Sequence, residues 1–163
     1  MTQIRAERVA AVTNEEFVVF LIGMRINKLW KVHKWLPVAN AMGRMLKELN
    51  ENPELGFLGV ESGFGRTTIM MQYWRSFEHL ENYAKDKSRE HLPAWAAFNK
   101  AVASNGDVGI WHETYRVRPG DYECVYNNMP PFGLGNAMQL VPAMDLRNTA
   151  AGRMNQAPQK KAA

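Results

Sequence analysis

Residues 25–33 contain polar side chains that could stabilise a negative charge. They follow a strongly apolar run at residues 17–24 (FVVFLIGM), and the group consists of Arg25, Asn27, Trp30 and His33. An arginine offers fixed hydrogen-bond donors to an oxyanion, an enolate or bound dioxygen. The alternative is a solvated strand end whose arginine extends its charged group into water.

A second group lies in the segment at residues 108–117, and its members are Trp111, His112, Glu113 and Tyr115. In a strand, Trp111, Glu113 and Tyr115 share one face, and His112 lies on the other. A histidine could transfer protons in a cavity. Equally, a backbone carbonyl could satisfy a histidine at this position. The pattern does not say which face borders a cavity.

The helical region supplies two more histidines, His79 and His91. His91 could serve as an axial haem ligand, although unpartnered surface histidines are commoner. The neighbouring aromatic residues fit a core better than a cofactor site; they are Tyr73, Trp74, Trp95 and Phe98. Because the chain has no phosphate loop, GxGxxG, CxxC or HExxH motif, any chemistry is expected from polar residues in an apolar pocket.

Hydrophobic periodicity indicates the elements that must position these residues. A helix at residues 35–50 repeats apolar residues at helical spacing, with Pro37 in its first turn. Leu92-Pro93 is expected to divide a longer helical stretch, since proline removes a helical hydrogen bond. The remaining predictions, in chain order, are strands at 15–26, 55–63 and 67–75, the divided helix at 77–103, a strand at 108–117, a short strand at 122–127 and a Pro/Gly-rich arm at 129–142.

The order strand, helix, strand, strand, helix, strand predicts an α+β fold of the ferredoxin-like, split βαβ type with an antiparallel sheet. Two helices cover one face of such a sheet, so the other face needs a partner or a ligand. Two sheets packed face to face would meet this need. We therefore expect a homodimer that forms a dimeric α/β barrel, with a cavity in each protomer.

Charge and cysteine content narrow the function classes. The tail at residues 147–163 carries the whole net charge of +4, so residues 1–146 are neutral and form the predicted domain. A nucleic-acid partner is not expected, because nucleic-acid binders carry their basic stripe on the folded surface. The tail has nothing apolar to pack and is predicted to be disordered and dispensable.

The single cysteine, Cys124, excludes an intrachain disulfide and fits a reducing, cytoplasmic location. We interpret it as a small strand residue and not as a nucleophile, because no charged activating motif surrounds it. The apolar run at residues 17–24 is too short to span a bilayer, so no membrane partner is expected.

Four sequence phrases carry a resemblance to a known family. They are residues 23–34 (GMRINKLWKVHK), 74–77 (WRSF), 111–115 (WHETY) and 127–135 (NNMPPFGLG). Over about residues 10–142 the chain resembles a family of bacterial and fungal monooxygenase-like proteins, which includes a monooxygenase of the fungal fumagillin pathway. That family is similar in fold to the antibiotic-biosynthesis monooxygenases. The resemblance implies a dimeric α/β barrel and oxygenation of a small apolar or aromatic metabolite of secondary metabolism.

Many members of this wider superfamily use neither metal nor flavin, whereas haem degraders and aldoxime dehydratases bind haem. We expect no cofactor here; the alternative is a haem-dependent oxygenase or dehydratase/lyase of the same fold, with haem bound by His91. A cofactor-free oxygenase needs a base and donors that stabilise the substrate anion, which His112, Arg25 and Asn27 could supply. Substrate contacts are expected from Trp30, His33, Tyr73, Trp111 and Tyr115. The remaining alternative is a binding module that holds a small ligand without catalysis.

Overall fold

The computed structural model describes residues 3–101 and 105–155. Its centre is a four-stranded antiparallel sheet with the strand order β3-β4-β2-β5, and a separate two-stranded sheet pairs β1 with β6. The strands are β1 (Val9–Val12), β2 (Phe17–Ile26), β3 (Phe57–Gly63), β4 (Ile69–Trp74), β5 (Val108–Val117) and β6 (Gln139–Pro142).

Three helices connect the strands of the larger sheet, and two short helices follow it in the chain. They are α1 (Val32–Glu51), α2 (Phe77–Lys85), α3 (His91–Ala101), α4 (Leu134–Ala137) and α5 (Ala150–Met154), with 3₁₀ turns at Pro53–Leu55 and Asp145–Asn148. From β2 to β5 the order is strand, helix, strand, strand, helix pair, strand. The ferredoxin-like fold class is confirmed.

One face of the sheet packs against α1 and α2. The core there contains Val18, Leu49 and Trp74, each at most 2% exposed. Phe57 meets Trp74 in an edge-to-face contact with ring centroids 5.5 Å apart, and the tilted ring of Tyr83 lies 5.8 Å from Trp74. Burial of side chains of this size stabilises a fold by roughly 1.5–3 kcal/mol each. This part of the core therefore fixes α1 and α2 on the sheet.

Two helix boundaries differ from the sequence predictions. Helix α1 begins at Val32 and not at residue 35, so Pro37 lies inside the helix, where it cannot donate to the carbonyl four residues earlier. The long helix is divided at residues 86–90 and not at Leu92-Pro93. Pro93 is the third residue of α3, where its missing N–H breaks no helical hydrogen bond.

The second face of the sheet is partly covered by β1, β6 and α4. Phe17 and Tyr73 of the sheet pack there against Ala11 and Leu134. The predicted short strand at 122–127 does not form; only an isolated bridge joins Val9 to Tyr126. Side chains of this segment bond to the backbone instead. The Cys124 thiol accepts from the Ala11 N–H at 3.2 Å, and the Tyr122 hydroxyl accepts from the N–H of Thr13, the residue after β1, at 3.0 Å.

The segment following residue 146 also differs from its prediction. Residues 150–154 form α5, and Arg153 is only 6% exposed. Its Nε donates to Glu123 Oε2 at 2.7 Å, and its Nη1 donates to the carbonyls of Arg147 and Asn148. The expected disorder is therefore wrong for residues 147–155, which dock through polar contacts and not through an apolar stripe. Residues 156–163 of the predicted tail lie outside the described residues.

Candidate functional site

A large cavity lies between the sheet and the three long helices. Its volume is about 910 Å³, near the upper end of the range usual for small-molecule sites. Apolar side chains dominate its wall, among them the methionines Met24, Met42, Met45 and Met70 and the aromatic residues Phe20, Phe64, Phe77, Trp35, Trp95 and Phe98. Methionine is flexible and polarizable, so this wall can adapt to large apolar molecules.

Three of the chain's four histidines line this cavity, namely His33, His91 and His112. The fourth, His79, packs outside it against Gly56 and hydrogen-bonds to Ser76. A few polar groups in an apolar cavity are what a binding or catalytic site requires. The cavity therefore holds two of the predicted site residues and the candidate haem ligand.

His112 lies on β5 opposite Ile22 of β2, and both side chains face the helices. Its ring centroid is 5.7 Å from that of Phe20. Thr114, two residues along the same face, also lines the cavity. Both residues are exposed, so this wall of the cavity meets solvent. A histidine placed so could accept a proton from a bound substrate.

Arg25 does not share this cavity. It pairs in register with Gly109, an odd-numbered position of β5, whereas His112 belongs to the even-numbered set that faces the helices. Successive side chains of a strand alternate between faces, so Arg25 and His112 lie on opposite faces of the sheet. Arg25 and His112, which were expected to act on the same substrate anion, therefore do not border the same cavity of the described chain. Arg25 instead donates to Thr67 Oγ1 at 2.7 Å.

The predicted aromatic contacts also divide between the faces. Trp111, Tyr115 and Tyr73 lie on the face opposite the cavity. The Tyr115 hydroxyl donates to Glu113, and this hydrogen bond raises the pKa of Tyr115. Tyr73 lies beneath the β1–β6 layer, where burial, with a smaller contribution from Glu61, raises its pKa to about 12. None of the three lines the cavity that contains His112.

Asn27 and Trp30 belong to the loop between β2 and α1. Trp30 is 76% exposed. The backbone N–H of Asn27 donates to the carbonyl of Asp107, whose buried carboxylate binds Lys28 at 2.8 Å and Lys31 at 2.7 Å. Hydrogen bonds from these two lysines lower the pKa of Asp107 to about 2. The loop is thus fastened to the start of β5, and the structure gives Asn27 and Trp30 no place in the cavity wall.

His91 stands at the start of α3 with its ring oriented by the backbone. Its Nδ1 lies 3.0 Å from the Ala84 carbonyl oxygen. The linker before it is held by Glu48 of α1, whose carboxylate accepts from the Tyr83 hydroxyl at 2.9 Å and from the Glu90 N–H at 3.2 Å. Burial and this hydrogen bond raise the pKa of Tyr83. The arrangement fixes the direction in which His91 faces the cavity.

A second, smaller cavity of about 380 Å³ lies between the end of β1 and α5. Cys124 and the Arg153–Glu123 ion pair line it. Burial raises the pKa of the Cys124 thiol, which keeps it protonated and poorly nucleophilic. This agrees with the interpretation that Cys124 is not a nucleophile, although the strand expected around it does not form.

Sequence reasoning missed the contribution of the helices to the cavity. Met42 and Met45 belong to the apolar stripe of α1, and Trp95 belongs to the aromatic group expected in the core, yet all three line the cavity. Phe98 also lines the cavity but packs against the core cluster of Met24, Ile26 and Val108, as expected. Helical periodicity signals burial but does not separate a core from a cavity wall.

Within residues 3–101 and 105–155 no group of three His, Cys, Asp or Glu side chains could hold a metal ion. The described helices also include none that is both long and apolar enough to cross a membrane.

The sequence of the chain matches a known protein family. The profile of the monooxygenase af470-like family matches residues 17–134. Monooxygenase af470 of Aspergillus fumigatus (strain ATCC MYA-4609 / CBS 101355 / FGSC A1100 / Af293) is 30% identical over 127 residues, which cover 72% of this chain and 45% of the relative. The chain thus spans less than half the length of this curated relative.

The fold has a counterpart among solved structures. A crystal structure of aldoxime dehydratase is similar with a TM-score of 0.67 and 18% identity, over 86% of this chain and 45% of that chain. SnoaB, a cofactor-independent oxygenase from Streptomyces nogalater, is less similar, with a TM-score of 0.46 and 12% identity over 63% of this chain and 94% of its own. The profile match covers most of the chain, and on that ground the chain belongs to the monooxygenase af470-like family.

Proposed function

We propose that the chain is a monooxygenase that oxidises a small apolar or aromatic secondary metabolite in the cavity between the sheet and helices α1 to α3, without a cofactor. The observation that carries the proposal is the position of His112, a proton acceptor on the wall of a large apolar cavity. Family membership supports the reaction class. The apolar wall supports the substrate class, because it can bury a molecule of few polar groups.

The proposed chemistry begins with a substrate that carries an acidic CH₂ group. A ring nitrogen of His112 removes one proton, and the Thr114 hydroxyl stabilises the resulting anion as a hydrogen-bond donor. The anion transfers one electron to dioxygen, and the two radicals combine to a peroxide anion, which takes the proton back from His112. Loss of water then leaves a carbonyl group. Two C–H bonds are broken, one oxygen atom enters the product and the other leaves as water, so no external reductant is needed.

Dioxygen uptake with anthrone, a compound with an acidic CH₂ group, tests this reaction. We expect His112→Ala to lower the enzymatic rate by roughly 10²–10⁴-fold, the usual contribution of a general base. Glu113→Gln is the matched control, because Glu113 is the next residue of β5 but faces away from the cavity. If both variants keep the wild-type rate, or if uptake never exceeds the uncatalysed rate, His112 catalysis is refuted.

A second candidate is a haem-dependent reaction of the same cavity, and the orientation of His91 favours it. A histidine that ligates a metal through one ring nitrogen usually donates a hydrogen bond from the other ring N–H to a carbonyl or carboxylate. The 3.0 Å contact of His91 Nδ1 with the Ala84 carbonyl oxygen allows such a bond. His91 Nε2 would then hold the iron, and the apolar wall would surround the porphyrin. Bound haem would supply redox or Lewis-acid chemistry, while His112 remains available for proton transfer.

Titration of the purified protein with hemin separates the two candidates. The cofactor-free proposal predicts no stoichiometric Soret band. A stoichiometric band that is lost in His91→Ala but kept in His79→Ala would establish the haem candidate, since His79 lies outside the cavity.

We also propose that the chain forms a homodimer through the part of the second sheet face that β1, β6 and α4 leave uncovered. Ile69 and Tyr115 on this face are 47% and 49% exposed. Arg25 and Glu113 lie on the same face at separate register positions, so a two-fold axis between them would bring opposite charges of two copies together. Light scattering coupled to gel filtration tests this, with Ile69→Lys expected to give a monomer. A wild-type monomer at micromolar concentration would refute the pairing.

A further inference from the structure

We propose that Trp95, supported by Phe98, determines substrate specificity by stacking on a planar, conjugated ring system of the substrate. This inference rests on the proposed function, since it assigns a substrate class to the same cavity. It adds a property that the apolar wall alone does not require, namely discrimination between flat and puckered molecules of equal size.

The first observation is the arrangement of the two rings on α3. Trp95 and Phe98 are three residues apart, so their side chains leave the helix on the same side. Their ring centroids are 5.7 Å apart and their planes are inclined by only 18°, which is an offset-stacked geometry. Phe98 thus supports one face of the Trp95 indole.

The second observation is that Trp95 lines the cavity and yet is 45% exposed. A tryptophan that serves the core of this protein looks different, because Trp74 is 1% exposed and donates its Nε1 to Gln72. About half of the Trp95 surface is therefore not used by packing within the described residues. In a binding cavity this surface is available to a ligand.

The third observation concerns the rest of the wall. Met42 and Met45 of α1 and Met70 of β4 line the same cavity and offer flexible thioether side chains. Such side chains adapt to a ligand but discriminate little between shapes. A rigid aromatic plane can distinguish a flat ring from a saturated one. The wall contains six aromatic residues, and among the described ring contacts the Trp95–Phe98 pair is the one in which one wall aromatic stacks nearly parallel on another.

Helix α3 is also held in a fixed position, which a stacking platform requires. The Glu90 carboxylate accepts from Arg44 Nε of α1 at 3.0 Å, and the Glu90 N–H donates to Glu48. One residue later, His91 contacts the Ala84 carbonyl. The start of the helix is thus fastened to both α1 and α2, which holds the backbone that carries Trp95 in place, and preorganisation of this kind favours affinity.

Isothermal titration with two alcohols of similar size and polarity tests the proposal. 2-Naphthol is planar and aromatic, whereas decahydro-2-naphthol is saturated and puckered. We expect the wild-type chain to bind 2-naphthol more tightly. Trp95→Leu keeps an apolar side chain but removes the plane, and should weaken 2-naphthol binding by roughly five- to tenfold. Binding of decahydro-2-naphthol should change by less than about twofold.

Trp30→Leu is the matched control, because Trp30 is exposed and does not line the cavity. It should leave both affinities unchanged, and melting curves should show that both variants are folded. Equal losses for the two alcohols in Trp95→Leu, or no loss for either, would refute stacking while leaving the cavity as a binding site. If the wild-type chain binds neither alcohol, both the specificity inference and the proposed apolar substrate site are refuted.

Discussion

Removal of the Arg153 guanidinium should destabilise the whole domain, although Arg153 lies near the end of the described chain. Its Nε binds the Glu123 carboxylate at 2.7 Å, and its Nη1 binds two backbone carbonyls at 3.0 and 3.2 Å. These contacts join α5 and the preceding 3₁₀ turn to the segment after β5. In Arg153→Ala the carboxylate loses its cation and both carbonyls lose a donor.

The size of the effect follows from the burial of these groups. A buried polar group left without its partner costs about 1–3 kcal/mol, and breaking a fully buried ion pair costs about 3–5 kcal/mol. The Glu123 side chain is 30% exposed, so water replaces part of its lost interaction. We therefore expect Arg153→Ala to lower the free energy of unfolding by about 2–3 kcal/mol.

Urea unfolding measures this change through the transition midpoint at constant slope. Arg118→Ala is the matched control, because the Arg118 side chain is 77% exposed and lies 3.5 Å from Glu16. Surface pairs of this kind contribute about 0–1 kcal/mol. Truncation after residue 146 should destabilise at least as much as Arg153→Ala. If Arg153→Ala and Arg118→Ala unfold at the same urea concentration, the docked α5 does not stabilise the domain.

Other predictions concern the base of the fold and its acid sensitivity. Gly23→Ala should destabilise by about 1–3 kcal/mol, because a Cβ there would lie 1.9 Å from the backbone oxygen of Thr68; Gly43→Ala, whose Cβ would meet nothing within 4 Å, should stabilise α1 by about 0.5–1 kcal/mol in the same urea assay. The pKa of Asp107 is lowered from 3.8 to about 2, so its contribution is complete above about pH 4 and is lost as the pH falls towards 2. Melting curves from pH 7 to pH 2 should therefore show a lower melting temperature for Asp107→Asn at pH 7 and a smaller acid-induced decrease than for the wild type. Identical pH profiles for the two proteins would show that the lysine contacts of Asp107 do not stabilise the loop.

The element order could be predicted from the sequence because each long element has a strong local signal. The strands predicted at residues 15–26 and 108–117 and the helix predicted at residues 35–50 all form, with bounds within a few residues of the predicted ones. The position of the helix break was harder to predict. The break was predicted at Leu92-Pro93 because proline interrupts helices. The helix is instead interrupted at residues 86–90, where the carboxylate of Glu48 in α1 accepts a hydrogen bond from the Glu90 N–H. Such a contact has no local signature.

The distribution of site residues between the two faces could not be predicted, and the reason lies in β2. Both of its faces are apolar, with Phe20 and Ile22 towards the helices and Phe17 and Val19 towards the β1–β6 layer. Alternation normally reveals which face is buried, but here two different layers cover the two faces. The face on which the Arg25 side chain lies therefore depends on how β2 pairs with its neighbours and on which layer covers each face, and the sequence of β2 alone encodes neither. Docking of α5 was missed for a related reason, since an ion pair replaces the apolar stripe that marks most packed helices.

The same division of faces separates the proposed catalysis from the proposed dimerisation. The cavity uses the even-numbered side chains of β5, among them His112 and Thr114, together with three helices of the same chain. The uncovered part of the other face presents Arg25, Trp111 and Tyr115, of which the Trp111 Nε1 is buried and has no hydrogen-bond partner among the described residues. All the described residues that line the cavity belong to one chain. A partner chain on the second face of the sheet could therefore stabilise β2 and β5 without contributing to the cavity. A monomeric Ile69→Lys variant should then still bind 2-naphthol more tightly than decahydro-2-naphthol, as the wild type does. Loss of that preference in a folded monomer would show that the partner shapes the cavity through the shared strands.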